Sequence, residues 1–182
     1  VSGEIRIKGA KVAIRRPADA VAHGIALVPE ARATQGIIPA HSVADNMVMS
    51  VIGRIAPKGF VDRARVRDIA EDMIARLSIK TASRDHAVST LSGGNQQKVV
   101  IGKWLATEPE ILILDEPTAG IDIGSKAEII RLVRDLAQSG KAVIVISSEL
   151  SELLTACDRI LVMADGRAHQ MLDRADLDDP EE

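Results

Sequence analysis

The stretch LSGGNQQKVVIGKWLATEPEILILDEPTAG, residues 91–120, decides the fold that this sequence predicts. Its second half places the apolar run ILIL directly before two acids, Asp115 and Glu116. A short continuous apolar run that ends at charged residues is typical of a strand buried on both faces of a parallel sheet. Its first half places two glycines before a pattern that predicts a helix over residues 95–107. Together the halves predict an α/β protein with a parallel core sheet.

Further helices and strands are predicted on both sides of this stretch. Apolar residues at helical spacing predict helices over residues 62–77 and 124–139. Three shorter helices are predicted over residues 17–23, 43–49 and 148–156. The runs GIALVP and AVIVIS predict two more buried strands, the second of them buried on both faces. A hairpin is predicted near each end of the chain, with KG at residues 8–9 and DG at residues 165–166 as the turns.

The composition narrows the class of protein. The 182 residues carry a net charge of −3 and are 46% hydrophobic, which is enough for a real core. The lack of a broad basic field argues against nucleic acid as a main partner, and at 1% aromatic residues base stacking is nearly unavailable. A single cysteine, Cys157, excludes an internal disulfide framework. No apolar run reaches about 18 residues, so no membrane-spanning helix is predicted.

The two acids after ILIL carry the first candidate chemistry. The carboxyl end of a parallel strand lies at the crevice where α/β sheets bind ligands. Successive side chains of a strand diverge, so the two carboxylates can do different work. Asp115 would reach a magnesium ion through water, and Glu116 would act as general base on an attacking water. The alternative is a pair of solvated acids, but the apolar run before them and the PT after them favour a functional pair.

The run LSGGNQQ carries the second candidate chemistry. Gly93 and Gly94 let the backbone approach a ligand closely. A helix follows at once, so its free N–H groups and the positive end of its dipole favour an anion there, and Ser92 adds a hydroxyl donor. The alternative is an ordinary Ser-Gly-Gly turn that caps a helix. The LDEPT run further along favours phosphate binding.

Together these residues resemble the ATP-binding-cassette (ABC) ATPases. LSGGNQQKV is similar to their signature motif, ILILDEPT to their Walker B motif, and AGID, with Asp122, to their D-loop. The runs VPEARATQGI, DEPTAGIDIGSKAEI and SSELSELLTACDRILVMADGR are similar to sugar-importer ATPases of the ribose/galactose/xylose type, and specifically to the second of their two cassettes. The resemblance implies a P-loop NTPase-like cassette. It consists of a partial RecA-like core over residues 1–30 and 99–173, a helical subdomain over residues 31–98 and an acidic tail over residues 174–182.

The resemblance also implies ligands and partners. The cofactors are ATP and Mg²⁺, and the residues expected to bind nucleotide are Ser92, Gly93, Gly94, Asn95, Gln96 and Asp122. The expected partners are a first nucleotide-binding cassette, membrane permease subunits that touch residues 37–60 and, indirectly, a sugar-binding protein outside the membrane. No nucleic acid is expected. The implied location is peripheral, on the cytoplasmic face of the plasma membrane.

The phosphate loop of these ATPases, G-x-x-x-x-G-K-[ST], has no match in the sequence. In the family it lies N-terminal to the strand that SGEIRIKG resembles, so the chain is expected to begin just after it, without the first cassette. Family cassettes pair head to tail, and each ATP lies between one phosphate loop and the other signature. Ser92, Gly93 and Gly94 would then serve the partner's nucleotide. Asp115 and Glu116 would serve a site without its loop, so the isolated chain is expected to be inactive.

Several positions depart from the pattern of the general family or of the sugar importers. Glu30 stands where many cassettes carry Gln, and adds negative charge near the metal. Glu149 replaces the switch His, and an anion there would repel the γ-phosphate. The second cassette of the sugar importers shows the same Glu, which supports the resemblance to that cassette. With Glu116, both Glu30 and Glu149 are counted as catalytic candidates. Ala31 and Ala33 in EARA, and Ala119 in PTAGID, replace charged residues of the sugar importers.

Two other functions stay open at this point. One is a non-catalytic or regulatory domain that completes another cassette's ATP site, which the missing loop and Glu149 favour. The other is a soluble cassette that acts on DNA or ribosomes, which the acidic balance disfavours. Among single residues, Trp104 is expected to anchor the core and Gly102 to allow close helix packing.

Overall fold

The computed structural model describes residues 3–173 of the chain. At its centre lies a three-stranded parallel sheet in the order β3 (Ile25–Val28), β4 (Ile111–Asp115), β5 (Ala142–Ile146). Strand β4 is in the middle, and its last residue, Asp115, pairs with Ile146 at the end of β5. The carboxyl ends of all three strands therefore meet at one edge of the sheet. This confirms the predicted α/β fold with a parallel core sheet.

An antiparallel hairpin lies near each end of the described chain, as predicted. The first joins β1 (Ile5–Ile7) to β2 (Ala10–Val12), and the second joins β6 (Arg159–Ala164) to β7 (Arg167–Asp173). The turn residues all have positive φ, between 50° and 79°: Lys8, Gly9, Asp165 and Gly166. Two successive residues with positive φ are what a two-residue hairpin turn requires.

Seven α-helices accompany the strands within the described residues. They are α1 (Pro17–Ala22), α2 (Val43–Val48), α3 (Ile52–Ile55), α4 (Arg63–Arg76), α5 (Gly93–Leu105), α6 (Ile123–Gln138) and α7 (Leu150–Ala156). Single helical turns cover Arg32–Gly36, Met49–Val51, Pro57–Gly59 and Val88–Thr90, the first of them a π-turn. None of the helices described here is long and apolar enough to cross a membrane.

Helix α5 lies at the centre of the packing, in contact with α2, α4, α6 and β3. Gly102 is where it approaches its neighbours most closely. A Cβ added there would lie 2.7 Å from the sulfur of Met47 and 3.0 Å from a methyl carbon of Leu77. The expectation that Gly102 serves close helix packing is thus confirmed. Trp104, on the same helix, packs against the core as expected.

The start of α5 differs from its prediction. The helix begins at Gly93, two residues earlier than expected, so both glycines of the signature are helical rather than part of a turn. Ser92 takes the extended N-cap conformation, with φ −62° and ψ 157°. The sequence did not show this because glycine usually weakens a helix, whereas here tertiary packing requires it. The starts of α6 and α7 also differ, by one and two residues, from the predictions at residues 124 and 148.

The prediction of strands buried on both faces is wrong. Helices cover one face of the sheet, where Ala26, Val28, Leu112 and Leu114 are fully buried. The opposite face is about half exposed at Leu27 (48%), Ile144 (50%) and Ile146 (49%). Apolar composition alone cannot reveal which face is covered, because it is the same on both. The predicted acidic tail, 174–182, lies outside the described residues, and the boundary predicted between residues 98 and 99 falls within α5.

Candidate nucleotide site

The acids that follow ILIL lie at the carboxyl edge of the sheet. Asp115 ends β4, and Glu116 follows it in a left-handed backbone conformation with φ 42°. The N–H of Glu116 donates to the carbonyl oxygen of Ile146 at 2.8 Å. The N–H of Ser148 donates to Oε1 of Glu116 at 2.7 Å. A left-handed conformation costs a non-glycine residue roughly 1–2 kcal/mol, so these two bonds hold Glu116 in a strained but defined position.

Glu149 lies in the loop after β5, next to Ser148, whose N–H binds Glu116, and it is not an isolated anion. Its Oε1 accepts a hydrogen bond from Nζ of Lys126 at 2.5 Å, so the lysine offsets its charge. The hydrogen bond to Glu149 raises the pKa of Lys126 above its usual value, and Lys126 therefore stays protonated. The repulsion of the γ-phosphate predicted for Glu149 did not include this cation. Lys126 was missed because it lies on α6, which follows the D-loop.

A buried polar cluster holds the loop after β5 in place. Glu152, on α7, is only 7% exposed, and both of its carboxylate oxygens lie 2.5 Å from the hydroxyl of Thr118. Ser147 and Lys126 donate to the same carboxylate at 3.2 Å. Burial raises the pKa of Glu152, but the hydrogen bonds from these three residues together outweigh burial and leave that pKa below its usual value. The cluster thus ties the DEPT run to α6 and α7.

The signature presents an open helix N-terminus. No side chain caps α5 at Ser92. The Ser92 hydroxyl oxygen accepts a hydrogen bond from Nδ2 of Asn95 at 2.8 Å, while Oδ1 of Asn95 accepts one from the N–H of Lys80. Nε2 of Gln96 donates to the carbonyl oxygen of Leu91 at 2.9 Å. Asn95 and Gln96 therefore use their amides to hold the loop around the N-terminus. The predicted nucleotide contacts of these two side chains stay predictions.

The two signature glycines allow close approach of other segments. A Cβ added to Gly94 would lie 2.4 Å from Cβ and 2.5 Å from Oγ of Ser125, in the first turn of α6. A Cβ added to Gly93 would lie 3.0 Å from Nη2 of Arg32. Real side chains do not occupy such distances without displacement of their neighbours. Glycine is thus needed for the signature to lie against the D-loop helix and the loop after β3.

Asp122 and Glu30 are the remaining predicted site residues. Oδ1 of Asp122 accepts a hydrogen bond from the N–H of Ser125 at 3.0 Å, so Asp122 caps α6. This backbone hydrogen bond holds the pKa of Asp122 below its usual value, and Asp122 is exposed. Glu30 follows the end of β3 and is also exposed, at the same sheet edge as Asp115. Glu30 thus lies at the sheet edge predicted for Asp115 and Glu116, and the roles of Asp122 and Glu30 stay predictions.

The side chains at this sheet edge can bind Mg²⁺ only if a bound nucleotide supplies further oxygen ligands. Among the residues described, no group of three or more His, Cys, Asp or Glu side chains could hold a metal ion. Mg²⁺ at phosphate-binding sites takes one or two carboxylates and completes its shell with phosphate and water oxygens. Asp115, partly buried at the end of β4, suits the part of one such carboxylate. The open N-terminus of α5 suits a phosphate.

Comparisons with known proteins agree with this geometry. The family profile described as ABC transporter matches residues 1–119. A putative ribose/galactose/methyl galactoside import ATP-binding protein of Pseudomonas syringae pv. tomato is 49% identical over 175 residues, which cover 96% of this chain and 33% of that protein. The ribose import ATP-binding protein RbsA of Geobacillus kaustophilus is 47% identical over 176 residues, 97% of this chain and 36% of that protein. The chain thus spans about a third of the length of these curated relatives.

Solved structures show the same fold at low sequence identity. A component of the ABC transporter complex cbiONQ from Clostridium perfringens has a TM-score of 0.79 at 24% identity, over 97% of this chain and 68% of that one. The dimeric structure of an ATP-binding cassette, in a post-hydrolysis state with ADP and phosphate bound, has a TM-score of 0.74 at 22% identity, over 95% of this chain and 74% of that one. The chain therefore belongs to the ABC transporter family, and its fold is that of the ATP-binding cassettes.

Proposed function

We propose that this chain is the C-terminal cassette part of an ABC-importer ATPase that powers the uptake of a monosaccharide. The observation that carries the proposal is the convergence of Asp115, Glu116 and the Ser148 loop at one sheet edge. The signature helix lies next to the D-loop helix, in contact through Gly94 and Ser125. The names of the relatives, which concern ribose and galactose import, support the substrate class.

Each residue has a defined part in the proposed reaction. Asp115 would hold Mg²⁺ through water, and Glu116, held by the Ser148 N–H, would accept a proton from the attacking water. Mg²⁺ bound with ATP would supply positive charge against the phosphate oxygens. Ser92 and the N–H groups at the start of α5 would bind a phosphate. Lys126 would keep the charge of Glu149 from opposing the phosphate at the site of Asp115 and Glu116.

The signature in this chain would serve a nucleotide that a second cassette holds. The sequence contains no G-x-x-x-x-G-K-[ST] pattern, so we propose that the chain cannot grip ATP by itself and acts with a first cassette. Membrane permease subunits would receive the motion through residues 37–60. A sugar-binding protein would deliver the substrate to the permease. The complex would work at the cytoplasmic face of the plasma membrane, with this chain as a peripheral part.

The second candidate is a non-catalytic cassette that only completes a partner's ATP site. The exposed carboxylate of Glu149 at the switch position favours it. The two candidates share the signature chemistry and differ in whether Glu116 ever acts as a base. They therefore make different predictions for substitutions at Ser92 and Glu116.

The test is ATP hydrolysis by the chain, alone and mixed with a purified first cassette of a ribose-import ATP-binding protein. Ser92→Ala and Glu116→Gln are the informative variants. Their matched controls are Ser89→Ala, at an exposed serine near Ser92, and Glu110→Gln, just before β4 and so at the opposite edge of the sheet from Glu116. We expect background rates for the chain alone. In the mixture we expect turnover that Ser92→Ala lowers by roughly 100-fold, while Glu116→Gln and both controls leave it unchanged.

Other outcomes discriminate as clearly. If the chain alone hydrolyses ATP and Glu116→Gln stops this hydrolysis, the chain has a phosphate-binding site of its own. That result would refute the dependence on a partner. Turnover in the mixture that Ser92→Ala does not lower would refute the role of the signature. If a complete importer that contains this chain loses activity with Glu116→Gln, the first candidate holds, and if it does not, the non-catalytic candidate holds.

A further inference from the structure

The guanidinium of Arg32 joins segments that are far apart in the sequence. Its Nη1 donates to the carbonyl oxygen of Ala119 at 2.7 Å, and its Nη2 donates to that of Gly120 at 3.0 Å. Both carbonyls belong to the segment that connects Glu116 to α6. A planar guanidinium that donates from two nitrogens fixes both the position and the orientation of its acceptors, which a single-point contact cannot do.

The same guanidinium lies against the signature. A Cβ added to Gly93 would stand 3.0 Å from Nη2 of Arg32 and 3.5 Å from the carbonyl oxygen of Gly120. Gly120 has φ 64°, and a Cβ there would lie 3.7 Å from the same nitrogen. Arg32 therefore fills the space between the first signature glycine and the segment after Glu116. A side chain at Gly93 would displace Arg32, whereas a Cβ at Gly120 would make ordinary contact with it.

The loop that carries Arg32 is held at its other end by α5. The loop forms one π-turn, Arg32–Gly36, of a kind found often at functional sites. At Gly36 an added Cβ would come within 2.9 Å of a methyl carbon of Val100, so the loop lies directly on α5. The buried Lys103 donates to the carbonyl oxygen of Gly36. Because this short turn is held at both ends, it moves as a unit. A movement of the turn therefore also moves the guanidinium of Arg32 and its two carbonyl contacts.

We propose that Arg32 is a positioning residue that couples the loop after β3 to the signature and to residues 119–120. The inference rests on the proposed function, because the nucleotide that the signature binds gives the coupling its purpose. When the loop after β3 moves, the two carbonyl contacts make residues 119–120 follow, and with them Asp122, which caps α6. Arg32 touches no reacting atom in this arrangement. It acts by fixing the positions of the three segments relative to one another.

The contact itself is tested by hydrogen exchange in the chain alone. The amides of Ala119 and Ile121 are hydrogen-bonded within the segment, to Glu116 and Thr118, and report on its order. We expect Arg32→Met to make these two amides exchange at least about fivefold faster. The matched control is Arg134→Met, which removes a guanidinium–carbonyl bond of 3.3 Å to Thr155 elsewhere, and we expect wild-type rates from it. Unchanged exchange in Arg32→Met would overturn the proposal.

The coupling is tested by turnover of the chain mixed with a first cassette. If the wild-type mixture does not hydrolyse ATP, the proposed function fails, while the exchange result still judges the contact. If it does, we expect Arg32→Met to lower kcat roughly tenfold or more at unchanged KM for ATP. Arg32→Lys should recover part of that loss, because an ammonium can still donate to these carbonyls. An unchanged kcat, or a raised KM at unchanged kcat, would overturn the positioning role.

Discussion

The backbone N–H of Ser148 lies 2.7 Å from a carboxylate oxygen of Glu116, so the loop after β5 holds the candidate general base that follows β4. The two strands are joined again at this edge, where the N–H of Glu116 donates to Ile146. Any change that moves the loop of Glu149 therefore also moves the carboxylate of Glu116. This links the switch position to the catalytic candidate through the backbone, without a direct side-chain contact between them.

Substitutions of Glu116 can separate its structural part from its chemical part. Glu116→Gln keeps an acceptor oxygen for the Ser148 N–H, and we expect a free energy of unfolding within about 0.5 kcal/mol of wild type. Glu116→Ala removes the acceptor, and we expect a loss of about 1.5 kcal/mol. Urea unfolding of both variants measures the difference. Equal stabilities would show that the Ser148 bond contributes nothing to the folded state.

The buried cluster predicts a large effect from a small change at Thr118. Thr118 is 1% exposed, and its hydroxyl is the nearest donor to the carboxylate of Glu152. Thr118→Val keeps the shape but leaves that carboxylate without this donor, so we expect a loss of about 2 kcal/mol in the free energy of unfolding. Thr155→Val is the matched control. Its hydroxyl bonds to Ser151 on an exposed helix surface, and we expect a change within about 0.5 kcal/mol.

The same cluster predicts a dependence on pH. The pKa of Glu152 lies below its usual value in the folded chain because hydrogen bonds outweigh burial. Its stabilising contribution is therefore present above the unfolded pKa of about 4.3 and is lost as the pH falls through the folded pKa. We expect the difference between wild type and Thr118→Val to be full at about pH 7 and to shrink below about pH 4. A difference independent of pH would show that Glu152 is not involved.

Much of the fold followed from periodicity and turn residues. The KG and DG turns, the parallel core sheet and the helix over residues 62–77 depend on local patterns, and the structure contains each of them. The covered face of the sheet did not follow, because Leu27 and Ile144 are as apolar as their buried neighbours. Burial depends on which helices pack where, which is a property of the whole chain rather than of a strand.

The residues of the candidate site were likewise predicted only in part. Asp115, Glu116 and the signature were predicted because motif residues follow a strand or precede a helix at fixed spacing. Arg32 and Lys126 were missed because their partners lie 87 and 23 residues away, on segments that only the fold brings together. Long-range polar contacts leave no periodic signal in the sequence. A charged residue beside a motif, such as Arg32 within EARA, is the one local sign that could have drawn attention.

The packing of the signature against α6 predicts that Gly94 tolerates no side chain. A Cβ on Gly94 would overlap Ser125, and we expect Gly94→Ala to lower the free energy of unfolding by about 2 kcal/mol. Gly53→Ala is the matched control, since a Cβ at that helical position meets nothing within 4 Å. We expect that control to be neutral or to stabilise by up to about 1 kcal/mol. Ser125→Gly should restore part of the loss in Gly94→Ala.

Lys103 offers a test of a buried charge. It is 8% exposed, donates to the carbonyl oxygen of Gly36 and lies 5.4 Å from the centre of the Trp104 ring. Burial lowers its pKa below the usual value. Lys103→Met removes a charge that is costly to bury, so we expect it to be neutral or to stabilise by about 1 kcal/mol at neutral pH. Lys98→Met, on the same helix, breaks the 2.8 Å pair with Glu128 and should destabilise instead.

The sign of the pH dependence follows from the lowered pKa of Lys103. Between its folded pKa and the unfolded value of about 10.4, the unfolded chain binds more protons than the folded chain. The stability of the wild type therefore rises with pH in that range because of this residue, whereas Lys103→Met gains nothing from it. We expect any advantage of the variant to shrink as the pH rises towards about 10, measured by urea unfolding at several pH values. An advantage that grows with pH would mean that Gly36 and Trp104 hold the ammonium more firmly than burial opposes it.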